Sequence, residues 1–242
     1  MKIVKYIPDA ITSANLLSGA AGVILTLSGN LPAAFACMIA AAVFDFCDGL
    51  SARLLNAYSD IGKELDSLSD MVSFGLLPAL MMRQCMVDAG SGPVLSSIPL
   101  LIAVFSAVRL ARFNVEGSLS SDFTGLATPS SAMICGSLAS LCSTGGPLWE
   151  GIASSLWAIP ALSILLSWLM TCNIPMFGMK IKKGHKLLDG KRMAFIVAAG
   201  LCIAVTALCG QRWPLAVLLV FSVYVAENLL LRLFCRKEDT LS

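Results

Sequence analysis

About eight apolar runs, each near the 20 residues that a helix needs to cross the hydrocarbon core of a bilayer, divide this chain from end to end. They lie near residues 11–28, 31–50, 66–87, 94–112, 129–147, 151–171, 193–209 and 213–231. The composition agrees: 57% of the 242 residues are hydrophobic, 13% are charged and the mean hydropathy is +0.82, far from the roughly 25% charge of soluble domains. The expected fold is all-α, a polytopic membrane bundle of about eight transmembrane helices.

Positive charge sets the expected orientation, because cytoplasmic loops retain Lys and Arg. With the N-terminus inside, Arg83 and Arg212 alone of the 17 Lys and Arg residues fall on the outer side. So lopsided a split requires an even number of crossings and places the protein in the cell membrane, multi-pass, with its polar end facing the cytoplasm. A cleaved signal peptide ending at Ala34-Phe35-Ala36 is the weaker reading, since the apolar run continues beyond it. Residues 1–10 read as an interfacial segment or a frayed tail, 11–192 as the core, and 193–242 as an additional two-helix segment and tail. Those last two runs carry no charge except Glu227 and read as packing or dimerisation surface. The basic loop 179–192 reads as topogenic charge, with attraction to anionic lipid as the alternative. His185 within it reads as solvated, and the nine cysteines, without a CxxC pair, as small packing residues. A nucleic acid is not an expected partner.

One stretch breaks the apolar pattern: "DFCDGLSARLLNAYSDIGKELDSLSD", residues 45–70, with six carboxylates against Arg53 and Lys63. Carboxylates within a membrane cost several kcal/mol each, so a group of them needs a counterion. Asp45 and Asp48 are three apart and Asp66 and Asp70 four apart, so each pair occupies one helical face. Two cations cannot neutralise four converging acids, whereas divalent ions can. Oxygen ligands without His or Cys favour Mg²⁺ or Mn²⁺, and two such ions suit phosphoryl chemistry. Gly49 and Gly62 read as points of close approach for backbone or ligand, while Ser69 and Ser73 read as small-residue helix packing. Asp60 reads as a loop residue and Glu64 as the residue opening the third helix. Intramembrane acids can also mark a cation pathway, but the chain shows one acidic hairpin and no second copy, which argues against a transporter.

Asp45, Asp48, Gly49, Ala52, Arg53, Gly62, Asp66 and Asp70 follow the spacing DxxDGxxARx8GxxxDxxxD without a departure, which resembles the signature of the CDP-alcohol phosphatidyltransferases. The resemblance implies that family's fold and a metal-dependent transfer from a CDP-linked alcohol to an acceptor hydroxyl, with release of CMP. It implies Asp45, Asp48, Asp66 and Asp70 as ligands of Mg²⁺ or Mn²⁺, Asp70 also as general base, and Asp48, Gly49, Ala52, Arg53, Gly62 and Asp66 as nucleotide contacts. "SANLLSGAAGV", "RLARFNV", "FTGLATPSSA" and "LMTCNIPMFGMK" resemble segments of the serine-using branch, with Ala127 where that branch usually shows proline. The implied substrates are CDP-diacylglycerol and L-serine, the product phosphatidylserine, and the assembly a homodimer in the lipid bilayer. Arg109 and Arg112 could bind a serine carboxylate and Asn114 could orient its ammonium or hydroxyl, although a pair of snorkelling arginines would look the same. A basic pocket alone would equally suit glycerol 3-phosphate or inositol phosphate. Asn15, polar within the first run, either faces the site or bonds between helices.

Overall fold

The computed structural model describes residues 6–57, 59–116, 125–144, 146–172, 199–203, 206 and 212–239. Every regular element among them is helical. Helix α1 spans Tyr6–Leu27 and α2 Leu31–Leu55; α3, Asp60–Asp70, continues through a π turn, Met71–Leu76, into α4, Leu77–Asp88. A short α5, Pro93–Ser96, and a 3₁₀ turn, Ile98–Leu100, lead into α6, Leu101–Glu116. There follow α7, Thr128–Thr144, α8, Pro147–Ser154, α9, Ala158–Thr171, and the last helix α10, Trp213–Asp239.

Four helical segments are long and apolar enough to cross a bilayer: Tyr6–Leu27, Leu31–Leu55, Asp60–Asp88 and Pro93–Val115. A fifth is added if α8 and α9, bent by 73°, form one span. The count of eight is thus not met among the described residues, and the reasons differ by run. Helix α7 has 17 residues, short of the roughly 20 a perpendicular crossing needs. The run at 151–171 breaks where Ser155 turns extended, at φ −66° and ψ 121°. In α10 the apolar part is Trp213–Asn228. Most of the run 193–209, the loop 179–192 with His185, and residues 1–5 lie outside the described residues. Helix α1 starts at Tyr6, so residues 6–10 are helical. Asp60 is corrected from loop to first residue of α3, because Ser59 caps that helix through a bond from the Gly62 amide at 2.8 Å; Glu64 therefore lies one turn inside it.

Hydrocarbon solvates leucine as well as protein does, so these helices associate through close packing and hydrogen bonds rather than by removing apolar surface from water. Helix α1 shows the pattern clearly. Its buried face is Pro8, Thr12, Asn15, Gly19, Gly22 and Thr26, while Leu17, Ile24 and Leu27 are exposed. A Cβ on Gly19 would stand 2.3 Å from Ser73 Oγ and 3.0 Å from Ser73 Cα, so only glycine allows α1 to cross the π turn this closely. Helix α7 is buried along almost its whole length against α2, α4 and α10, and Phe35 of α2 stacks on Trp213 at the start of α10, centroids 4.9 Å apart.

Candidate active site

The acidic stretch folds into the joint of α2 and α3. Asn56 ends α2 in the left-handed region at φ 48°, which asparagine tolerates better than most residues, and its amide bonds the Ala52 carbonyl. Ser59 then restarts the chain as α3. This short reversal turns acids from the last turns of α2 and the middle of α3 toward one point. One carboxylate oxygen each from Asp45, Asp48 and Asp66 lies within 4.8 Å of the others, with Asp48 buried and the other two half-buried. Three of the four expected ligands are thus gathered. Asp70, one turn on, stands outside that group, though within electrostatic reach of all three.

Helix α1 supplies the donors that this acidic surface needs. Thr12 Oγ1 lies 2.7 Å from Asp48 Oδ2 and 3.0 Å from the Pro8 carbonyl, two acceptors for one hydroxyl proton. Asn15 Nδ2 donates to Asp70 Oδ1 at 3.3 Å. Ser69 and Ser73, both buried, donate to the Thr12 and Asn15 carbonyls at 3.3 and 3.2 Å and pin α1 to α3 and the π turn, the packing role expected of them. Thr12 went unnoticed in the sequence. Its signal was Thr12 and Asn15 three apart on one face of an apolar run.

The two glycines have different surroundings. A Cβ on Gly49 would meet nothing within 4 Å, so the surface there is open to a ligand. One on Gly62 would lie 2.7 Å from Asp9 Oδ1 and 2.8 Å from Ser59 Oγ, so this glycine also makes room for α1 and for the helix cap. Ala52 is half-buried on α2, and the exposed Arg53 bonds the Gly49 carbonyl through Nε at 2.8 Å, which sets the start of its side chain along the helix.

The polar residues of α6 diverge. Arg109 Nη1 donates to Thr128 Oγ1 at 3.1 Å, and its guanidinium feels both Asp70 and Tyr224 of α10. Arg112 is exposed and reaches the Thr171 carbonyl at the end of α9, at 3.4 Å. Asn114 exchanges hydrogen bonds with Ser67, next to Asp66, at 2.9 and 3.3 Å, and Lys63 Nζ donates to the Asn114 carbonyl at 3.3 Å. Gly125, at φ 76°, lies against the Met170 carbonyl, and the Leu126 amide donates to the Leu169 carbonyl at 2.8 Å, so the segment containing Ala127 docks on α9. All of these contacts belong to one end of the bundle.

Three carboxylates from two helices, converging without a nitrogen or sulfur ligand among them, form a donor set that fits a hard divalent cation. Comparison with known proteins bears on what such a set serves. Residues 5–176 match the family model described as CDP-alcohol phosphatidyltransferase. The chain is 32% identical over 230 residues to the CDP-diacylglycerol--serine O-phosphatidyltransferase of Mycobacterium tuberculosis, covering 92% of this chain and 75% of that one. To the protein of the same name from Methanocaldococcus jannaschii it is 29% identical over 221 residues, covering 90% and 91%. To that of Bacillus subtilis it is 34% identical over 129 residues, covering 53% and 72%.

Proposed function

The chain belongs to the CDP-alcohol phosphatidyltransferase family, and from that premise we propose that it makes phosphatidylserine in the membrane, transferring the phosphatidyl group of CDP-diacylglycerol to the hydroxyl of L-serine with release of CMP. The observation that carries the chemistry is the convergence of Asp45, Asp48 and Asp66 on the spacing shared with the family. The relatives' names, over most of the chain, support serine as the acceptor.

In this reading Asp45, Asp48 and Asp66 hold Mg²⁺ or Mn²⁺, as one ion or with Asp70 as a pair. When bound, the metal neutralises the diphosphate and stabilises the leaving oxygen. The remaining work falls to the chain's own residues. Gly49 leaves the surface of α2 open where the diphosphate lies, and Arg53, Ala52 and Gly62 flank the nucleotide. Asp70, held by its bond to Asn15, takes the proton of the serine hydroxyl as oxygen attacks phosphorus and the bond to CMP breaks. Arg109, half-buried beside Asp70, holds the serine carboxylate, with Arg112 and Asn114 at the rim. The acyl chains remain in the bilayer, and the lopsided distribution of Lys and Arg along the sequence supports a reaction on the cytoplasmic side.

The test is acceptor competition in the purified full-length protein. With CDP-diacylglycerol as donor and either Mg²⁺ or Mn²⁺, labelled serine should enter phosphatidylserine with stoichiometric CMP. Preference for glycerol 3-phosphate or inositol phosphate over serine would overturn the acceptor and leave the family chemistry standing.

A further inference from the structure

We propose that Asn15 is the positioning residue for Asp70, holding one carboxylate oxygen so that the other faces the acceptor hydroxyl. The inference rests on the reading of Asp70 as general base. Asn15 is fully buried on the inner face of α1, and its Nδ2 lies 3.3 Å from Asp70 Oδ1. Its own Oδ1 is buried without a hydrogen-bond partner. The amide is therefore not a bridge that happens to touch Asp70: that carboxylate is the partner of its side chain. The direction of the amide follows from charge, because an amide oxygen turned toward a carboxylate repels it and the N–H attracts it. The backbone beneath is fixed independently. Ser73 Oγ donates to the Asn15 carbonyl at 3.2 Å, and one turn further along α1 Gly19 allows the contact with Ser73.

Asp70 needs such a hold because of its place in the chain. It is the last residue of α3, and the π turn begins at Met71, so on its C-terminal side the helix no longer keeps α register. Asp45, Asp48 and Asp66 all repel it, and a free rotamer would swing away from them. A single neutral donor on Oδ1 opposes that swing. It also leaves the lone pairs of Oδ2 free for the proton that the reaction removes, since a carboxylate accepts at both oxygens. A cation in Asn15's position would pair with the carboxylate and weaken it as a base far more than a single neutral amide does.

The experiment compares Asn15→Ala, Asn15→Leu and Asp70→Asn in the full-length protein, with CDP-diacylglycerol and labelled serine as substrates. Leucine keeps the branched shape of asparagine without its donor, so packing survives the change. Both Asn15 variants should lose kcat by at least about tenfold, within the range general-base catalysis supplies. Their KM values for both substrates and their thermal midpoints should stay near those of the parent. Normal kcat in both variants, or a fall matched by raised KM or lost folding in both, would overturn the inference by showing no role or a structural one. The Asp70→Asn arm separates the two failures. Should that variant be fully active, the base assignment itself falls; should it be inactive while the Asn15 variants are normal, only the positioning role falls.

Discussion

The two ends of the bundle both carry acids, yet only one of them gathers those acids to a point. At the far end a cavity of about 700 Å³ is lined by Asp88, Glu150, Cys85 and Cys142. There the carboxylates do not converge: Asp88 accepts a bond from Gln84 Nε2 at 2.7 Å on its own helix, and Glu150 is exposed on α8. At the near end Asp45, Asp48 and Asp66 come from two helices to within 4.8 Å, and a third helix places Thr12 and Asn15 against Asp48 and Asp70. What distinguishes the ends is that separate helices aim at one point, with donors behind the acids.

Removing one carboxylate from each end should separate the two most sharply. Asp48→Asn or Asp66→Asn should lower transfer, read as CMP release, by roughly 10³ or more, as loss of a metal ligand does. Asp88→Asn and Glu150→Gln should leave it within about twofold, as surface changes generally do. An equal loss at both ends would mean that the far cavity takes part. Chelation should likewise abolish CMP release, and added Mg²⁺ or Mn²⁺ should restore it.

A smaller effect sharpens the contrast within the near end. Arg109→Ala should raise the KM for serine by about ten- to a hundredfold while leaving that for CDP-diacylglycerol unchanged, because a charge-assisted carboxylate contact is lost. Arg112→Ala, whose side chain turns to the Thr171 carbonyl, should change it little. The smallest expected change concerns packing. Gly19→Val, which drives a side chain into Ser73, should cost about 1–3 kcal/mol as overpacking does, read as a lower thermal midpoint in detergent. Gly92→Ala, at the far end with open space around it, should be nearly silent.

The four motif aspartates were legible because the signal is local: acids in an apolar chain are costly, and spacings of three and four put them on one helical face. Thr12 was missed because a threonine in an apolar helix costs little, and only the crossing of α1 shows that it faces Asp48. Arg109 and Arg112 looked equivalent for the same reason. Their spacing says that they share a side of α6, but Thr128 and Thr171, distant in sequence, decide where each guanidinium goes. The bend of 73° between α8 and α9 had no warning strong enough to divide the apolar run at 151–171, since hydropathy measures the solvent and not the path of the backbone.

The π turn has a consequence for how this chain can change over time. Six residues, Met71–Leu76, carry the wider winding, and each residue of an α-helix accounts for about 100° of rotation. A π turn holds one residue more than an α turn, so deleting one residue there would let the segment close into ordinary winding with Asp66 and Asp70 keeping nearly the same rotation relative to α4, whereas a deletion within α3 or α4 would turn them by about 100°. The turn is thus a store of chain length. Upstream the helix is timed to the chemistry, downstream to the packing of Leu77, Met81 and Met82, and the two schedules are kept independent by the slack between them. Removal of one residue from this segment should therefore be tolerated better than removal of one from α3 or α4.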